Sequence, residues 1–167
     1  GFEEPTPIQA KTIPFLLKNH KDLIGKAQTG TGKTAAFGIP LIENLNQNSK
    51  SVQAIILAPT RELAIQVSEE LNSFAEDKKI RILAVYGGQP IERQITSLKR
   101  GVDIVVGTPG RVMDHLERGT IKEKSIDFLV LDETDRMFDM GFGIQIDHII
   151  SKLPEKRQTL MFSATIA

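Results

Sequence analysis

Ala54-Ile55-Ile56-Leu57-Ala58 and Phe128-Leu129-Val130-Leu131 are apolar at every position. A strand with one wet face alternates apolar and polar residues, because successive side chains point to opposite sides. A run without alternation is buried on both faces, as in a parallel sheet covered by helices. Outward from these two runs, further short β-prone stretches occur at 22–25, 81–85, 103–106 and 158–162. The first five of the six are each followed by a turn residue and a segment of helical period. These segments begin near Lys33, Arg61, Pro90, Gly110 and Asp135, and another follows Gly143. The reading is an α/β fold with a mainly parallel central sheet flanked by helices on both faces. Ligands of such sheets sit beyond the carboxyl ends of the strands, so the residues just after each strand are the first candidates for function.

The chain has 167 residues, which suits one domain, and 40% of them are hydrophobic, enough for an ordinary core. No apolar run approaches the roughly 20 residues of a spanning helix, so no membrane role is expected. No secretory signal is visible at the start. Cysteine is absent, which excludes disulfides and thiolate metal sites and is compatible with a reducing, cytoplasmic setting. Lysine plus arginine total 21 and aspartate plus glutamate total 21. That balance argues against holding nucleic acid by bulk charge, which rests on many cationic side chains. A nucleic-acid partner must then be held by backbone amides, helix ends and a few placed arginines.

After the first strand comes Ala27-Gln28-Thr29-Gly30-Thr31-Gly32-Lys33-Thr34. Gly30 and Gly32 let the backbone turn with its amides inward, and the following helix offers its positive end to phosphates. Lys33 can reach the β and γ phosphates, and Thr34 offers a hydroxyl to magnesium. The strict phosphate-loop pattern has glycine where Ala27 stands. A plain glycine-rich helix cap is the competing reading.

The run 128–131 ends in Asp132-Glu133-Thr134-Asp135. A buried strand with a carboxylate at its tip is the second half of a phosphate-loop site. Asp132 is expected to hold magnesium through water, since that ion keeps much of its hydration shell. Glu133 is placed to orient or deprotonate the attacking water. The competing reading is an acidic helix start that meets the helix dipole favourably.

In chain order, Gly1-Phe2-Glu3-Glu4-Pro5-Thr6-Pro7-Ile8-Gln9, the loop 27–34, Pro59-Thr60-Arg61-Glu62-Leu63-Ala64, Gly87-Gly88, Thr108-Pro109-Gly110-Arg111, the acidic tetrad and Ser163-Ala164-Thr165 form a series. It resembles the motif series of the DEAD-box RNA helicases, specifically their first RecA-like domain, across essentially the whole chain. The resemblance implies a RecA-like P-loop domain of an RNA-dependent ATPase that uses ATP and Mg2+ and locally separates short duplexes. It implies that Phe2, Pro7 and Gln9 meet the adenine, with Gln9 reading N6 and N7 and so preferring ATP to GTP. Ala27, Gln28, Thr29, Gly30, Thr31, Gly32, Lys33 and Thr34 would bind the phosphates, alanine at the start being the family's own variant. Lys33, Asp132 and Glu133 would be catalytic, with Thr34 and Asp132 on the metal. Pro59, Thr60, Arg61, Gly87, Gly88, Thr108, Pro109, Gly110 and Arg111 would hold the RNA backbone without reading sequence. Asp135, Ser163 and Thr165 would couple the two sites.

Thr134 departs from the family pattern, where alanine is usual, and its hydroxyl could compete for hydrogen bonds of Ser163 and Thr165. The chain also begins inside the first motif and stops after the last. The expectation is therefore an N-terminal RecA-like domain, 1–167, lacking the upstream aromatic and the second RecA-like domain of the same protein. That second domain supplies an arginine worth about 10³–10⁵ in turnover in related enzymes, so this piece alone is expected to bind nucleotide weakly and barely hydrolyse it. An ATP-gated RNA clamp and a DNA helicase or other P-loop ATPase are the alternative readings. His20, His115 and His148 show no metal-ligand spacing and read as structural. Met137, Phe138, Met140 and Phe142 read as core or interdomain surface, and Pro14 as a bend or break in the first helical stretch.

Overall fold

Burial on both faces is what the apolar runs acquire in the computed structural model, which describes residues 32–163 and, for its backbone, the strand at 23–26. The elements are β1 (Leu23–Lys26), α1 (Lys33–Asn44), β2 (Ala54–Leu57), α2 (Arg61–Phe74), β3 (Ile82–Val85), α3 (Ile91–Arg100), β4 (Ile104–Gly107), α4 (Pro109–Arg118), β5 (Phe128–Leu131), α5 (Thr134–Asp139), α6 (Gly143–Lys152) and β6 (Gln158–Ser163). The six strands form one sheet in the order β1-β6-β5-β2-β4-β3. Every neighbouring pair is parallel.

All four residues of β2 are fully buried. Ala54 and Ile56 pack with Phe37 and Leu41 of α1 and Val67 and Leu71 of α2. Ile55 and Leu57 pack on the other side with Val112 of α4, Met137 of α5 and Ile146 of α6. The period of two thus assigns alternate residues of one strand to two apolar layers, and no position is left for a polar side chain. Phe37 and Phe162 meet with ring centroids 5.5 Å apart and tie α1 to β6.

The expected strands and helix starts lie within a residue or two of those observed. β3 and β4 begin one residue later than expected, because Arg81 and Asp103 form a staple at their mouths. The buried Asp103 carboxylate accepts hydrogen bonds from the Arg81 amide at 2.8 Å and from Gln53 Nε2 at 3.2 Å. β4 ends one residue later, on Gly107, and this glycine is required. A Cβ there would lie 2.6 Å from side chains of both Val85 and Val112 and 2.7 Å from the Val85 carbonyl. Among the described residues a 3₁₀ turn at Glu123–Ser125 is an element that the sequence pattern does not signal; it is pinned by Ser125 Oγ, which donates to Val52 O at 2.6 Å. Among the described residues no helix is long and apolar enough to cross a membrane. Pro14, His20 and Asp22 lie outside the described residues.

Candidate functional site

The strand order divides the candidate residues into two groups. β1, β6 and β5 are neighbours, and their carboxyl ends lead to the phosphate loop, to Ser163 and to Asp132. β2, β4 and β3 form the other half, and the loops beyond them hold Pro59 to Arg61, Thr108 to Arg111, and Gly87 with Gly88. Both groups lie at the same end of a parallel sheet, where helix amino termini also gather.

In the first half, Gly32 precedes α1 in the left-handed conformation (φ 76°, ψ 19°), which glycine adopts without a Cβ penalty. Lys33 and Thr34, the first residues of α1, are both buried. Lys33 Nζ lies 2.5 Å from Oδ1 of Asp132, whose side chain is 0% exposed. Apart from this ion pair and a contact from the Glu133 amide, the carboxylate lacks a well-formed hydrogen bond among the described residues. Burial pushes its pKa above the ordinary carboxylate range, against the pull of the Lys33 ammonium. The pair spans β6, since Lys33 follows β1 and Asp132 follows β5.

Glu133, next to Asp132, has φ 51° and ψ 53° and is the sole non-glycine residue with positive φ among those described. An L-residue in this region costs about 1–2 kcal/mol. The strain sits where β5 turns into α5, and among the described residues the Glu133 carboxylate makes a loose contact to Arg136 Nη1 at 3.6 Å. Thr134 is buried, and its hydroxyl donates to the Leu131 carbonyl at 3.3 Å. That bond closes the turn from strand to helix; Thr165, which with Ser163 was expected to feel competition from this hydroxyl, lies outside the described residues. Accordingly, Thr134→Ala is expected to change ATP turnover or half-saturation by less than tenfold, under about 1.4 kcal/mol. A hundredfold change in steady-state ATPase of the full-length protein would show an active role. Asp135 accepts from the Arg136 amide at 3.0 Å.

The donor set suits magnesium. Thr34 and Asp132 are hard oxygen donors, and Asp132 is a buried carboxylate short of hydrogen bonds. Magnesium is commonly held by one or two such groups, completing its shell with water and phosphate oxygens.

In the second half, Thr60 caps α2, its Oγ1 accepting from the Leu63 amide at 3.1 Å. The Arg61 guanidinium lies 4.8 Å from the centroid of the Tyr86 ring. Thr108 precedes α4 without a side-chain cap bond, and Pro109 opens that helix. Gly88 is left-handed (φ 84°). Gly87 and Gly110 have ordinary φ, and a Cβ on either would meet nothing within 4 Å among the described residues. Neither a left-handed φ nor packing among the described residues requires glycine at those two positions. Arg111 Nη1 donates inward, to the Gln89 carbonyl at 3.0 Å and to Gln94 Oε1 at 3.2 Å.

Sequence reasoning missed Gln94, Gln89 and Tyr86, and read His115 as structural without finding its partners. Gln94 and Leu98 are the buried residues of α3, four apart on one face. A glutamine in register with an apolar stripe was the available signal. His148 pairs with Glu117 at 3.1 Å, joining α6 to α4. Met137 is buried and Phe142 packs on the core, whereas Phe138 and Met140 are exposed. Phe2, Pro7, Gln9, Ala27, Gln28, Thr29, Gly30, Thr31 and Thr165 lie outside the described residues.

Residues 6–167 match the family model for the DEAD/DEAH box helicase. The chain is 59% identical to a DEAD-box ATP-dependent RNA helicase CshA of Geobacillus kaustophilus, covering 99% of this chain and 35% of the relative. It is 61% identical to the ATP-dependent RNA helicase CshA of Listeria monocytogenes, covering 99% of this chain and 32% of that relative. The crystal structure of a DEAD box protein from the hyperthermophile Methanococcus jannaschii superposes with a TM-score of 0.96 at 47% identity, over 100% of this chain and 46% of that one. The chain thus spans about a third of the length of the curated relatives it matches.

Proposed function

Since the chain belongs to the DEAD/DEAH box helicase family, we propose that it is the ATP-binding half of an ATP-dependent RNA helicase, working in the cytoplasm with a second RecA-like domain of the same protein. The observation that carries this reading is the buried pair between Lys33 of the phosphate loop and Asp132 of the acidic strand end, at 2.5 Å. It brings the two halves of a phosphate-loop site together from strands that are not neighbours.

In this reading the adenine is met by Phe2, Pro7 and Gln9. The phosphates lie against Ala27, Gln28, Thr29, Gly30, Thr31 and Gly32, with the Lys33 ammonium on the β and γ positions. Thr34 and Asp132 would hold the magnesium ion, which when bound would neutralise charge on the phosphates. Glu133 orients the attacking water and accepts its proton, from a backbone position that strain has turned out of the strand line. Lys33 must exchange Asp132 for phosphate, so the ammonium is already at the site and already desolvated.

Pro59, Thr60, Arg61, Gly87, Gly88, Thr108, Pro109, Gly110 and Arg111 hold RNA through phosphates and sugars. Supporting this are the open glycines and the amino ends of α2 and α4 beside them. Contacts of that kind position a strand without reading its bases. The neutral chain agrees with it, since few phosphates need be neutralised by side chains. Asp135, Ser163 and Thr165 link hydrolysis to this grip; Ser163 ends β6, between the strands that carry the nucleotide residues.

Full-length protein is expected to hydrolyse ATP in preference to GTP, with stimulation by RNA of unrelated sequences and little by DNA of the same length. Steady-state ATPase assays with both nucleotides and both nucleic acids test this, alongside separation of a short RNA duplex. Equal stimulation by DNA would sink the RNA assignment.

A further inference from the structure

Three loops proposed to hold RNA come from three different strands, yet one buried polar cluster ties two of them together and touches the third. Gln94 is 1% exposed and His115 is 0% exposed. Gln94 Nε2 donates to the Tyr86 carbonyl at 3.0 Å and to Gln89 Oε1 at 2.9 Å. Because Tyr86 O can only accept, the amide nitrogen must face it, and Oε1 must face the other way. There Oε1 accepts from Arg111 Nη1 at 3.2 Å and lies 2.8 Å from His115 Nε2.

The proton inventory of the cluster follows. Gln94 Oε1 cannot donate, so His115 carries a hydrogen on Nε2; its Nδ1 lies 2.7 Å from the Thr120 hydroxyl oxygen, which also lies 3.1 Å from the His115 carbonyl. Burial, and then the Arg111 charge, lower its pKa to about 4, so the imidazole is neutral and Nδ1 is left as an acceptor. Both hydrogens of Gln94 Nε2 and both lone pairs of its Oε1 are thereby engaged. The amide has one permitted orientation.

Arg111 Nη1 uses its two hydrogens on Gln89 O and Gln94 Oε1. Nε and Nη2 hold the remaining three hydrogens, with no partner for them among the described residues, and they form one edge of the planar fork. That edge is the one suited to two parallel bonds with a phosphate. Tyr86, whose carbonyl Gln94 holds, carries Arg61 over its ring.

We propose that Gln94, locked in orientation by His115, is a positioning residue for RNA binding: it joins the 86–89 turn to Arg111 and aims the free edge of that guanidinium at the phosphate. The inference rests on the RNA reading above and deepens it. Gln94 itself is buried and touches no ligand.

The test uses full-length protein carrying Gln94→Met, which keeps the volume and removes every polar atom, alone and combined with Arg111→Ala. The readouts are the RNA concentration for half-maximal ATPase stimulation and the ATP concentration for half-saturation. Gln94→Met is expected to raise the RNA value by about tenfold, the scale of one charge-assisted hydrogen bond, and to leave the ATP value within about twofold. In the Arg111→Ala background the same change is expected to add less than about twofold, because the effect acts through Arg111. If Arg111→Ala weakens RNA binding while Gln94→Met does not, the positioning role is overturned and the RNA reading stands. If Arg111→Ala itself has no effect on RNA, the RNA reading of this loop fails and the inference falls with it. Parallel losses of ATP and RNA, or full additivity, would mark Gln94 as a core residue only and overturn the proposal. Should Gln94→Met not fold, Gln94→Asn decides by the same criteria, since it keeps an amide but withdraws it by one methylene from Arg111 and Tyr86.

Discussion

Glu133→Gln in the full-length protein is expected to lower ATP turnover at saturating RNA by about 10²–10⁴-fold, the usual worth of a positioned general base. ATP half-saturation should stay within about threefold, because the amide matches the carboxylate in shape and the phosphates are held elsewhere. The basis is local. Glu133 is the non-glycine residue forced into the left-handed region among those described, and among them its carboxylate has a loose contact to Arg136 at 3.6 Å. A structural glutamate would not need so unfavourable a backbone; a side chain that must leave the line of β5 toward a nucleotide would. Glu133→Gly separates the two costs. It should relieve up to about 1 kcal/mol of backbone strain, seen as slower amide hydrogen exchange in β5 and α5, while losing turnover like the glutamine variant. Turnover within threefold of the parent for Glu133→Gln would remove Glu133 from the chemistry.

The fold was legible because its decisive signal is redundant. Ala54 to Leu57 and Phe128 to Leu131 admit no polar residue, and each alternate position has an apolar layer to enter. Strand order was not legible, since pairing of β1 with β6 joins residues at opposite ends of the chain and no local pattern encodes it. The candidate site was legible where chemistry dictates residue type in a short span, as in Gly32-Lys33-Thr34 and Asp132-Glu133. It was illegible where function depends on distant polar residues meeting in the core. Gln94 and His115 are 21 positions apart and belong to different helices. Likewise the use of the Thr134 hydroxyl follows from where the Leu131 carbonyl lies, which is a matter of backbone geometry at the end of β5. Gly107 is a third case, for its reason is the proximity of Val85 and Val112.

Lys33→Met is expected to abolish measurable ATP binding and also to destabilise the domain, the second effect growing with pH. Lys33 is the cation paired with a carboxylate that is itself fully buried. Removing one partner of such a pair costs about 3–5 kcal/mol when the other stays charged. The pH dependence follows from the raised pKa of Asp132. A carboxyl that binds its proton more tightly when folded loses stability as pH rises from its unfolded pKa to its native one. Without the Lys33 charge the native value moves higher still, so the window of loss extends upward. At low pH Asp132 is protonated in the variant and the deficit shrinks; toward alkaline pH ionisation in a buried site applies the full penalty. Native-state hydrogen exchange of α1 and β5 amides in the full-length protein, corrected for intrinsic rates, should show the deficit at pH 8 exceeding that at pH 5 by about 1 kcal/mol or more. Adding Asp132→Asn to Lys33→Met should recover most of the stability and none of the ATP binding, because the buried charge is gone while the phosphate cation is still missing. A small, pH-independent deficit would show that water reaches the pair, and preserved ATP binding would remove Lys33 from the phosphate site.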